Sequence, residues 1–60
     1  MQELTVKCIT APRDLIIFGT VNKCREMVLE IHYYGEISEM HIGNVEAVSI
    51  INHLKEQFGL

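Results

Sequence analysis

Sixty residues with 48% hydrophobic side chains are enough for one small domain, 1–60, and too apolar for a disordered chain. A net charge of −3, from five Lys and Arg against eight Asp and Glu, provides no basic face for phosphate contacts. Nucleic acid therefore ranks low as a partner. No stretch approaches the roughly 18 apolar residues that would span a membrane, so no membrane partner is expected.

The opening Met-Gln-Glu-Leu-Thr has no basic segment followed by an apolar run, so no signal peptide is expected. The sequence predicts a complete small gene product in the cytoplasm, where Cys8 and Cys24 stay reduced. A domain of this size is marginal alone and often leans on disulfides, metals or oligomerisation.

Leu4 to Ile9 alternates, with Leu4, Val6 and Cys8 on one face, and reads as a half-buried strand. Pro12 then breaks the run, since it cannot donate to a ladder and biases Ala11 away from helix. Leu15 to Val21 is the second strand, with Gly19 a possible bulge. Asn22-Lys23 is read as a two-residue turn, and Cys24 to Tyr34 as the third strand. Gly35-Glu36 is read as the next turn, and Ile37 to Ile42 as the fourth strand. A helix follows. Asn44 is its expected N-cap, Glu46 suits its first turn, and Gly59 suits its end. Ala47, Val48, Ile51, Leu54 and Phe58 recur at the helical period and define one apolar stripe.

A Gly35-Glu36 turn sets His32 opposite Glu39 and Glu30 opposite His41. One sheet face then collects Met27, Leu29, Ile31, Tyr33, Met40 and Ile42, joined by Ile16 and Phe18. The other collects Glu30, His32, Tyr34, Ile37, Glu39 and His41, joined by Leu15, Ile17 and Val28. The helix can cover only one face, and the first is its natural seat. The second is left uncovered, an apolar patch rimmed by charge of the kind that marks an interface. Against this stands the ordinary tendency of small sheets to expose a few apolar residues. The clustering of Leu15, Ile17, Val28, Tyr34 and Ile37 on one face favours the interface.

The His–Glu group is foremost a pair of cross-strand contacts, each worth some tenths of a kcal/mol. A pH-sensitive interface is the second reading, because imidazole titrates near neutrality. A metal site ranks last, since a flat sheet gives poor ligand geometry and the spacing matches no metal motif. Cys8 and Cys24 have no partnered histidine and are read as small buried hydrophobes. His53 lies off the apolar stripe of the helix. Tyr33-Tyr34 could stack on bases, but the neighbouring acids would repel phosphate. No catalytic residue, metal ligand set or cofactor is expected, and the chain is not read as an enzyme.

In its size, its short meander and its ending from Glu46 to Leu60, the chain resembles the small accessory proteins encoded by bacteriophages and prophages. The resemblance implies binding to a host enzyme or defence factor, and it transfers no functional residue. The expected fold is α+β, in the order β-β-β-β-α: a four-stranded antiparallel meander with one C-terminal helix packed on one face. The expected function is a non-enzymatic protein-interaction module that modulates a host or partner protein, acting as a homodimer. The alternatives are a dimeric nucleic-acid-associated regulator and a small-ligand or metal binder.

Overall fold

Four segments rich in β-formers become strands, Leu15–Val21 among them opening as a continuous apolar run. The computed structural model describes residues 2–60. Strands β1 (Leu4–Lys7), β2 (Leu15–Val21), β3 (Met27–Tyr33) and β4 (Glu36–Ile42) precede one helix, α1 (Asn44–Phe58). The strands form a single antiparallel sheet in the order β1-β2-β3-β4, so the α+β meander is as the sequence predicts.

Turn chemistry sets the register, and here the structure departs from expectation. Asn22 does more than bend the chain. Its side-chain Oδ1 accepts the N–H groups of Cys24 and Glu26 at 2.9 and 3.0 Å, and its carbonyl accepts Arg25 N–H at 3.1 Å. These bonds hold a loop that runs from Asn22 to Glu26, with Arg25 in the left-handed region at φ 64°. Strand β3 therefore begins at Met27, opposite Val21, and not at Cys24. The ladder shifts between Phe18 and Val21, where a bulge brings Gly19 close to β3. A Cβ on Gly19 would meet the Val28 carbonyl oxygen at 2.9 Å, so only glycine fits there.

The β3–β4 turn is Tyr34-Gly35, not Gly35-Glu36. Both residues have positive φ, 52° and 78°, as a type I′ hairpin turn requires. Tyr34 is held there by its N–H, which donates to Asp14 Oδ1 at 3.1 Å, and by edge contact of its ring with Tyr33 at 4.4 Å. As a result His32 faces Ile37, Glu30 faces Glu39 and Val28 faces His41. Relative to expectation each partner moves by two residues. Because side chains alternate with period two, every strand residue keeps its predicted face.

The larger correction concerns the helix. Among the described residues it meets the sheet only at its N-terminal end, its backbone approaches β4 alone among the strands, and none of its residues is buried. The reason lies in the joint. β4 is an edge strand, and a single residue, Gly43, separates it from α1. Gly43 is extended (φ −103°, ψ −168°) and is itself the N-cap, one residue before the expected Asn44. Its N–H donates to the Glu46 carboxylate at 2.7 Å, which fixes how the helix leaves the strand. Connections between sheet and helix ordinarily take two to six residues. With Gly43 extended, this short joint carries α1 away from its own sheet after the first turn. Only Ala47 is half-buried, at a small hollow shared with Val21, Met27 and Ile42.

The core is correspondingly thin. Leu29 (7% exposed) and Ile42 (6%) are the buried hydrophobic residues, and Asp14 (8%) is the buried polar one. The accessible surface is 5326 Å², whereas a folded monomer of 6.9 kDa exposes about 4,000 Å². The Cα radius of gyration is 12.6 Å, against about 10.4 Å for an ordinary 60-residue domain. No helix among the described residues is long and apolar enough to cross a membrane.

Candidate interaction surfaces

The sheet presents two chemically different faces. On the first, Leu4, Phe18, Leu29 and Met40 form one row across all four strands, and Val6, Ile16, Ile31 and Ser38 form the next. Leu4, Val6, Ile16 and Met40 remain exposed, with no described residue lying over them. Toward the end away from the helix, Val6, Cys8, Asp14, Ile16, Ile31 and Tyr33 line a hollow of about 260 Å³. Burial of this apolar face was assigned to α1 by the periodicity, and the fold leaves it open.

The second face carries the sequence-predicted site. Leu15, Ile17 and Val28 are half-buried, and Ile37 is 63% exposed. Glu30, His32, Glu39 and His41 share this face, as the alternation predicts, but not the expected pairings. His32 Nε2 lies 3.1 Å from Glu30 Oε1 on its own strand. His41 Nδ1 lies 3.5 Å from Glu26 Oε1, at the loop before β3. Glu30 and Glu39 stand directly opposite, a like-charge pair that weakens the ladder. These contacts are partly exposed, and with a protonated imidazole each is worth at most about 1 kcal/mol. Tyr34, also assigned to this face, sits in the turn and is 69% exposed.

The chemistry outside these faces is sparse. Cys8 and Cys24 are free and exposed, not buried as the sequence reading had them. Thr10 Oγ1 lies 3.4 Å from Cys8 Sγ, and this hydrogen bond, with the nearby backbone amides of Thr10 and Ala11, holds the thiol below its ordinary range. Among the described residues no three His, Cys, Asp or Glu side chains gather closely enough to hold a metal ion.

Two features escape a reading of the sequence. Asp14 lies in the break that follows Pro12, with no motif to single it out, yet it ties two connections together. Its carbonyl accepts Cys8 N–H at 2.8 Å, its N–H donates to the Ala11 carbonyl at 2.8 Å, and its carboxylate takes Tyr34 N–H. The second is the open helix stripe. Val48, Ile50, Ile51 and Leu54 are exposed, and Phe58 is 73% exposed. The available signal was the single residue between an edge strand and the helix. Compared with protein-family models, curated proteins and solved structures, the chain matches none.

Proposed function

We propose that this chain is a non-enzymatic protein-interaction module, a small accessory protein of the phage type that binds and modulates a partner protein. The observation that carries the reading is the uncovered apolar surface. Among the described residues most of the large hydrophobic side chains stay open to solvent, and of these only Leu29 and Ile42 are buried. Contiguous apolar surface of this extent on a small domain serves contact with another macromolecule. The His–Glu face suits a heterologous partner. On it the apolar Leu15, Ile17, Val28 and Ile37 are interleaved with Glu30, His32, Glu39 and His41, so apolar contact and charge recognition share one surface.

The test is affinity capture from host extract with the tagged chain, followed by assay of the captured protein's activity with added chain. The reading predicts a partner whose capture is lost in Ile37→Glu and whose activity changes in proportion to added chain. Absence of any captured protein that distinguishes wild type from Ile37→Glu would contradict it.

A further inference from the structure

Besides the His–Glu face, two apolar surfaces have no cover among the described residues: the helix stripe Val48, Ile51, Leu54 and Phe58, and the more apolar face of the sheet. We infer that they cover each other between two copies, so that α1 of each protomer lies on the apolar sheet face of its partner. The inference rests on reading the uncovered surface as protein-contact surface, and it names the occupant as a second copy of this chain.

Dimension is the first argument. A helix of 15 residues is about 22 Å long, and a strand of seven residues spans about 23 Å, so α1 matches the length of the face. Connectivity is the second. Beyond Ala47, α1 leaves its own sheet at the Gly43 joint with its stripe fully formed, so a second copy can supply the cover that its own sheet does not. Closure is the third. Each copy has one open stripe and one open face. A two-fold axis satisfies both at once, whereas a head-to-tail contact would leave one of each open at the ends.

Area is the fourth argument. The chain exposes about 1,300 Å² more than a folded monomer of its mass. Two copies that buried all of this excess would remove about 2,600 Å², a ceiling that leaves room for the His–Glu face to stay open and still reach the roughly 2,000 Å² at which obligate dimers begin. The hollow of about 260 Å³ beside Ile16 and Ile31 gives an incoming side chain of the stripe a seat. Charge disfavours a lipid surface as the occupant: Lys55 is the only Lys or Arg on α1, and the chain carries a net −3. The His–Glu face lies outside this contact and stays free for another protein.

The test begins with the wild-type chain. Sedimentation is expected to give the dimer mass. Isotope-filtered NMR on a mixture of labelled and unlabelled protomers is expected to show contacts from Ile51 and Leu54 methyls to Val6, Ile16 and Ile31 of the partner subunit. A monomer mass at high micromolar concentration, or intermolecular contacts confined to helix–helix or to the His–Glu face, would overturn the inference. Variants then separate reciprocal cover from other dimers. Leu54→Glu and Ile16→Glu should each be monomeric alone. Their mixture should regain a heterodimer, because the intact helix of one still meets the intact face of the other. Failure of two folded variants to complement would overturn the inference. Ile37→Glu should keep the dimer mass while losing the partner. A monomer that still captures a partner through Ile37 would sink the dimer and leave the interaction reading standing. A dimer that captures nothing would do the reverse.

Discussion

Asp14 shows how one polar residue can hold a small sheet together. It sits between two connections and satisfies groups of both, with its carboxylate on Tyr34 N–H and its backbone on Cys8 and Ala11. Because the residue is only 8% exposed, deleting the carboxylate leaves the Tyr34 N–H of the turn without its partner. Asp14→Ala should therefore destabilise by about 1–3 kcal/mol in urea unfolding, and Asp14→Asn, which keeps an acceptor oxygen, by less. Equal midpoints for Asp14→Ala and wild type would mean that the turn does not depend on this bond. Cys8 offers a second check, of pH dependence. The Thr10 hydroxyl beside its sulfur favours the thiolate, so the thiol ionises below its ordinary range. Alkylation, which follows the thiolate, should reach half its maximal rate below the usual thiol pKa of about 8.5. Thr10→Val should move that midpoint upward, and an unmoved midpoint would exclude the hydroxyl as the cause.

At the scale of elements, the strands and helix follow from periodicity, and the errors follow from turns. Faces were readable because alternation depends only on parity, and both hairpin registers moved without changing it. Pairings were not readable. Asn22 has the carboxamide to hold a longer loop, and Asn-Lys gives no local sign that it will do so. Tyr34 takes the left-handed turn position through Asp14, which is 20 residues away. The helix was readable from its stripe and its ends, but not its seat. A stripe says that a helix needs cover and not which chain supplies it. The hairpin assignment is open to test at Gly35, whose φ of 78° penalises any side chain. Gly35→Ala should cost about 1 kcal/mol with the strands retained. A neutral substitution would argue against a left-handed residue there.

For the whole molecule, the balance of burial decides the account. Two buried hydrophobic residues and an open helix make a poor monomer, yet the same chain has matching apolar surfaces for a second copy. If the native state is stabilised by association, its stability depends on concentration by mass action. The thermal midpoint, followed from low to high micromolar protein, measures this directly. The account predicts a midpoint that rises with concentration in wild type and in Asn52→Ala, which alters the polar side of the helix. In Ile51→Ala, within the stripe, the midpoint should be lower at every concentration. A wild-type midpoint that stays constant over that range would contradict the account.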